Sequence, residues 1–378
     1  MIEVREAVSK KDIRKFVDYP QKLYKNCPYF VPFLRMDELN FANPKKNPNL
    51  IQCKTKYFLA YKDGEICGRV MGIIHYADIK KTGIKRVRFS RIDFINDIEV
   101  ARALIKAVEE FGRAEGLEYI HGPLGFNDLD REGMLIEGFD RLSTFETQYS
   151  YDYYPVLMEK LGFKKDVDWI EKLLKRPEEM DKRIESISKK VLSRYNLKVL
   201  NVSKRQFIKK YGLKFFESMD IGFSHLYGTV PFPPKVIDNT INMFKLIADM
   251  NLICTVVDEK DNVVAGAVVL PSIAEAVQKC RGRLTPLGII RILWAIKHYK
   301  VVDFAFIWVL PEYLNKGVNS IIINEIVKNG MARKVTQAET NIMLETNEKV
   351  QVQFDFLKGE CHKRRRAFVK PIGVESKK

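Results

Sequence analysis

Residues 301–310 read VVDFAFIWVL, an almost unbroken apolar run, and the chain leaves it through PEYLNKG into VNSIIINEIVKNGMARK. A short apolar run closed by a proline is a buried strand, Val301–Leu310, and the residues after Gly317 carry the spacing of an amphipathic helix. A buried strand that turns through glycine into a helix leaves the first amides of that helix without intrahelical partners. Those donors, and the positive end of the helix dipole, suit a phosphate group. A phosphorylated cofactor is therefore expected at this turn. QAETNIMLE follows as a second strand, a short helix opens at Asn347, and HKRRRAFVK ends the series as a basic strand.

The same order of elements occurs earlier in the chain. IEVREA is a strand, and KYFLAYKDGEICGRVMGIIH is a strand pair about the turn Lys62-Asp63-Gly64. Apolar segments flanking a polar-glycine turn are a hairpin signature. RVRFSRIDFI is the next strand. In DIEVARALIKAVEEFGRAEG the apolar residues Val100, Leu104, Ile105, Val108 and Phe111 recur at helical spacing, and Gly116 ends the helix. EYIHGPLG, DYYPVLMEKLGF and DVDWIEKLL complete the set as strand, helix and strand. In the later copy NLKVLNVSK opens as a strand and LICTVVDEKDNVVAGAVVLP is a hairpin about Asp261-Asn262. The charged, helix-prone RPEEMDKRIESISKKVLSRY lies between the copies as a link. The expected division is 1–175 and 176–378.

This succession resembles a tandem pair of GNAT-superfamily acyltransferase domains. The resemblance implies an α/β (α+β) fold of two domains, each a mixed, mostly antiparallel sheet flanked by helices. In that family the strand–loop–helix unit binds the pyrophosphate of acyl-coenzyme A, and the next strand splays away to admit the pantetheine arm. The family's loop has Gln or Arg, two residues, Gly, one residue, then Gly or Ala. The matching positions here are Leu314 to Asn319: Gly317 fits, while Leu314 and Asn319 depart. The resemblance implies a site for acetyl-CoA or a longer acyl-CoA formed by Val309, Leu310, Asn315, Lys316, Gly317, Val318, Asn319, Ser320 and Asn347. The first copy passes through Asn96-Asp97 in place of a glycine turn. Asp97 would cap that helix and repel a pyrophosphate there, so the earlier copy is expected to hold no cofactor.

Acyl transfer to an amine needs a base for the ammonium proton and a means of releasing the thiolate. The resemblance implies a tyrosine seven residues after Asn347, but Phe354 stands there, and Met158 stands at the matching place in the first copy. Glu345, beside the strand gap, is the candidate catalytic base. Glu339 is a second candidate, acting through water. The acceptor is expected to be the amine of a small, amino-acid-like molecule. The stretch 121–154 is long and polar for a connection, and long ordered loops often carry function. Its Asp128 and Asp130 are candidates for binding the acceptor ammonium and Tyr149 for walling the pocket. A packed Ω-like loop is the competing reading.

Composition closes off several classes. The net charge of +16 attracts anions, and coenzyme A, tRNA, DNA and anionic lipid all qualify. No apolar run reaches the ~20 residues of a membrane span. The six cysteines show no CxxC spacing, so neither a metal site nor a disulfide framework is expected. MIEVREAVSKKD lacks the apolar centre of a signal peptide, and a cytoplasmic location follows as an expectation. In the basic strand, Lys363 and Arg365 would share one face and Arg364 and Arg366 the other. An edge protected by charge and a phosphate or nucleic-acid contact are the two readings of that cluster. Two alternatives stand beside the acyltransferase: a Fem-like transferase using aminoacyl-tRNA, and a non-catalytic GNAT scaffold that binds a ligand or partner.

Overall fold

The computed structural model describes residues 1–373. Along the first part of the chain run β1 (Ile2–Glu6), α1 (Lys10–Leu23), α2 (Arg35–Phe41), β2 (Cys53–Lys62), β3 (Glu65–His75), α3 (Tyr76–Thr82) and β4 (Arg86–Phe94). They are followed by α4 (Ile98–Ala114), β5 (Tyr119–Gly122), β6 (Met134–Glu137), α5 (Tyr153–Lys160) and β7 (Lys164–Lys175). The next stretch holds α6 (Lys182–Arg194), β8 (Lys198–Val199), α7 (Lys204–Lys210), α8 (Gly212–Phe223), α9 (Pro234–Ile247), β9 (Ile253–Val257) and β10 (Val263–Pro271). Then come α10 (Ala274–Lys279), α11 (Pro286–Lys297), β11 (Val301–Val309), α12 (Val318–Ala332), β12 (Gln337–Thr340), β13 (Met343–Leu344), α13 (Glu348–Phe356) and β14 (Glu360–Pro371).

Two compact units emerge. Unit 1 is Met1–Ile170, Ala274–Arg291 and the chain from His362; unit 2 is Glu171–Ile273 and Ile292–Cys361. The boundaries fall inside β7, α11 and β14, so the division differs from the expected cut at 175/176. The physical reason is β14. Its Phe368 to Pro371 pair antiparallel with Gly122 to Tyr119 of β5, and Phe368 joins the core of unit 1.

In each unit the sheet is mostly antiparallel with one parallel pair. Unit 1 has the order β1-β2-β3-β4-β5-β14-β7, with β4 and β5 parallel; unit 2 has β7-β12-β11-β10-β9-β8, with β11 and β12 parallel. The expected hairpins both form. Asp63 and Gly64 take positive φ, as the tight turn between β2 and β3 requires, and Asp261 does the same between β9 and β10.

Helix α4 presents Val100, Leu104, Ile105, Val108 and Phe111 to the sheet, all buried. Glycines in β3 let it approach. A Cβ on Gly68 would stand 2.7 Å from Leu104 and one on Gly72 2.9 Å from Phe111. In unit 2 Trp308 packs the sheet against α8: its ring lies against Gly266 of β10 and Gly222 of α8, and its Nε1 donates to Ser218 Oγ at 3.1 Å.

Three sequence expectations change. The stretch expected to link the copies contains α6, which packs on α12 as part of unit 2. QAETNIMLE is two strands, broken where the amide of Asn341 donates to Phe304 O and that of Ile342 to Asn341 Oδ1. The basic strand β14 is flanked on both sides, by β5 and β7, and is no edge. Its faces alternate as the pleat demands: Lys363 and Arg365 are buried, while Arg364 and Arg366 are half-buried and ion-paired to Glu137 and Asp168.

Candidate functional site

In unit 2, β11 and β12 pair from Val301↔Gln337 to Phe304↔Thr340 and then part. Strand β11 continues to Val309 beyond that point, while the other chain turns at Asn341 and pairs again, as β13, with β7. The parting is held open from one side. Thr340 Oγ1 accepts the amide of Lys172, which draws β12 toward β7. Past Val309 a single turn at Pro311–Tyr313 leads through Asn315 and Gly317, both at positive φ (61° and 76°), into α12.

The start of α12 is open. Gly317 is the N-cap residue with no side-chain cap, and the first turn carries no acid. The side chains of Asn315 and Lys316 are exposed, Val318 is buried beneath them, and Asn319 and Ser320 are half-buried. Ser320 Oγ donates back to Gly317 O at 2.7 Å, which fixes the turn without occupying the helix end. Lys316 Nζ stands over the rings of Tyr195 and Tyr313, at 5.3 and 5.1 Å from their centroids. A Cβ on Gly317 would meet Val191 at 3.2 Å. Val191 and Tyr195 come from α6 and its C-cap and were missed by sequence reasoning. Ile184, Ser188, Val191 and Tyr195 recur at helical spacing, and that stripe was the available signal.

Glu345 and Asn347 lie at the entry to α13. Both are half-buried. Gln351 Nε2 donates to the carbonyls of Leu344 and Glu345 at 3.0 and 2.8 Å, and the backbone amide of Asn347 donates to Leu344 O. Phe354 is buried against the ring of Phe304. That position serves the core and donates no proton. Beneath α12 a small apolar pocket of about 70 Å³ is lined by residues that include Leu252, Val269, Ile326 and Met331. Phe304, at the last paired position of β11, also lines it, so the pocket reaches the point where the strands part.

Unit 1 repeats the parting and closes it. Strands β4 and β5 pair only from Arg86↔Tyr119 to Arg88↔His121. At the far end of β4 the Phe94 amide donates to Tyr154 Oη at 3.0 Å, and Tyr153 Oη donates to Phe94 O at 2.6 Å. Both tyrosines come from α5. Tyr24 Oη stands 2.9 Å from Tyr154 Oη and from Asp93 Oδ1, and Arg69 Nε donates to Asp93 Oδ2 at 2.7 Å. Burial raises the Asp93 carboxyl above its ordinary value, against the opposing pull of Arg69. The start of α4 is capped as expected: Asp97 Oδ1 accepts from Glu99 N, and Lys62 bonds Oδ2 at 2.8 Å. That lysine bond holds the Asp97 carboxyl below its usual range.

The candidate acceptor residues belong to unit 1, whereas the turn at Gly317 belongs to unit 2. Asp130 accepts from Arg91 at 3.2 Å and from the amide of Phe126 at 2.9 Å. Tyr149 is buried, and its hydroxyl donates to Phe139 O at 3.0 Å. Asp128 is half-buried beside Glu132, whose carboxyl is raised first by burial and then by the Asp128 charge. Arg131 pins the same stretch by donating to the carbonyls of Val31 and Phe145. Burial lowers its guanidinium to about 10. These groups hold the 121–154 stretch as a packed loop of unit 1.

Solved structures share this architecture. A tandem GNAT protein from the clavulanic acid biosynthesis pathway matches with a TM-score of 0.56 at 10% identity, covering 100% of both chains. The fold is that of a tandem GNAT protein. A GCN5-related N-acetyltransferase from Sphaerobacter thermophilus matches with a TM-score of 0.50 at 11% identity, over 99% of this chain and 96% of that one. In GNAT terms, the open turn at Gly317 belongs to the second copy and the tyrosine-filled parting to the first. No family model matches the chain. In sequence it is similar to Protein YghO of Escherichia coli (strain K12), 27% identical over 98% of this chain and 95% of that protein. It is also similar to a bacterial ceramide synthase of Caulobacter vibrioides (strain NA1000 / CB15N), 24% identical over 76% of this chain and 74% of that one.

Proposed function

We propose that this protein is an acyl-CoA-dependent N-acyltransferase whose second copy binds the cofactor. The observation that carries the reading is the contrast between the two helix starts. Helix α12 follows a left-handed glycine with no side-chain cap and no acid, while α4 is closed by Asp97 and its strand gap by Tyr153 and Tyr154. Lys316 N donates to Tyr313 O and Ser320 N to Gly317 O, so the amides of Gly317, Val318 and Asn319 between them receive the pyrophosphate, with the α12 dipole behind them. Asn315 and the exposed Lys316 stand beside it, and Val309, Leu310 and Asn347 border the pantetheine path.

The cosubstrate supplies a thioester. Glu345 takes a proton from the acceptor ammonium and frees the lone pair on nitrogen. The neutral amine attacks the thioester carbonyl carbon and the C–N bond forms; the C–S bond breaks with its electron pair leaving on sulfur, and the second proton on nitrogen passes to water. With Phe354 in the core, the thiolate leaves without a proton from that position. The similarity to a ceramide synthase supports a long acyl chain and an amphiphilic amine, since a ceramide is an amide of a long-chain amino alcohol.

Isothermal titration with acetyl-CoA and with palmitoyl-CoA, on the wild type and on Gly317→Glu, tests the reading. Binding that vanishes in the variant supports it, because the new carboxylate repels the pyrophosphate and a side chain is strained at φ 76°. Absence of binding to the wild type ends it.

A further inference from the structure

The segment 276–302 contains no Asp or Glu, yet it holds six Lys or Arg residues: Lys279, Arg281, Arg283, Arg291, Lys297 and Lys300. Its centre is α11, PLGIIRILWAIK, in which Gly288 is the buried residue. A Cβ there would meet Arg283 O at 2.5 Å and Cys280 at 3.2 Å, so the helix is seated by its first turns on the loop before it. The outward side is apolar. Leu287 is 56% exposed, Ile290 62% and Trp294 63%. These three are spaced i, i+3 and i+7 and form one stripe; Ile289 and Leu293, also exposed, widen it. His298 stacks on Trp294 at the end of the stripe.

A soluble surface rarely leaves so many large aliphatic side chains together on one helix. We propose that α11 is a membrane-interface helix that docks this protein on a bilayer rich in anionic lipid. Lys279 is ion-paired to Glu275, and Arg281, Arg283, Arg291, Lys297 and Lys300, with no acid in the segment, give charge complementarity to anionic headgroups. An exposed tryptophan among aliphatic residues is the composition of an element seated at headgroup depth. The long lysine and arginine side chains reach up to the phosphates while their stems lie on the acyl boundary. No helix among the described residues is long and apolar enough to cross a membrane, so the contact is peripheral. This inference is independent of where the cofactor binds.

Vesicle co-sedimentation of the full chain tests it, with phosphatidylethanolamine–phosphatidylglycerol vesicles against pure phosphatidylcholine. Binding to the anionic vesicles at least about tenfold tighter, and falling with salt, is expected. Leu287→Gln/Ile290→Gln/Trp294→Gln should abolish it. A second readout needs no variant. The other two tryptophans, Trp169 and Trp308, are buried, so a blue shift on adding vesicles reports Trp294 entering the interface. Wild-type protein that neither sediments nor shifts overturns the proposal. So does a triple variant that binds vesicles like the wild type, or one that only turns a dimer into a monomer, which would make the stripe a contact between copies.

Discussion

The amide of Phe94 donates to the phenolic oxygen of Tyr154 at 3.0 Å. Phe94 is the last residue of β4, at the edge left bare where β4 and β5 part, and Tyr154 is fully buried there. The first copy thus uses its own side chain to occupy a strand edge that a tandem GNAT fold opens twice. The second copy has Phe354, packed on Phe304, in the helix after its own gap.

Tyr154→Phe should therefore be costly for so small a change. It strands the Phe94 amide in the core and cuts the link through Tyr24 to Asp93. A buried donor without a partner costs ~1–3 kcal/mol, read as a lower urea midpoint at unchanged slope. A midpoint within error of the wild type would show that Tyr154 merely fills space.

Arg69 and Asp93 are both buried and pair at 2.7 Å. Arg69→Met leaves a carboxylate in the core and should destabilise unit 1 by ~3–5 kcal/mol, and the double variant Arg69→Met/Asp93→Leu should regain much of the loss. Thermal unfolding of the two variants checks the order. A double variant less stable than Arg69→Met would contradict it.

Acid should weaken the first copy through two buried histidines. Burial lowers His75 and His121 each to about 4, from 6.5. The folded state then binds fewer protons than the unfolded chain across that window. Stability is complete above about pH 6.5 and falls as the pH drops toward 4, by about 3 kcal/mol per histidine. The His75 ring accepts the Asp78 amide at 3.3 Å, a bond the protonated ring loses. Unfolding free energies measured from pH 7.5 to 4.5 should decline; a flat profile would mean that both rings protonate without cost.

Gly266→Ala tests the packing of the second copy. The new methyl would stand 2.5 Å from Cζ2 of Trp308. Overpacking of that kind costs ~1–3 kcal/mol, seen as a lower Tm, and Trp308→Phe should relieve part of it. If Gly266→Ala melts at the wild-type temperature, the indole has room to move.

Much of this was legible in the sequence. Period-two and helical apolar spacing marked both hairpins and α4, because burial of one face imposes those periods whatever the neighbours are. Gly317 announced an open helix start and Asp97 a closed one, since caps are local chemistry within a turn. The fate of β14 was not legible. Its alternating bases read equally well as a charged edge or a ligand strand, and only pairing with β5, distant in sequence, decided that Lys363 and Arg365 are buried. The role of α6 was hidden for the same reason: a charged helix looks like a link until Val191 and Tyr195 are found against the turn at Gly317. Local turns and periods are written residue by residue, but which strand edge a segment completes depends on contacts between residues far apart in the chain, and those only the tertiary structure decided.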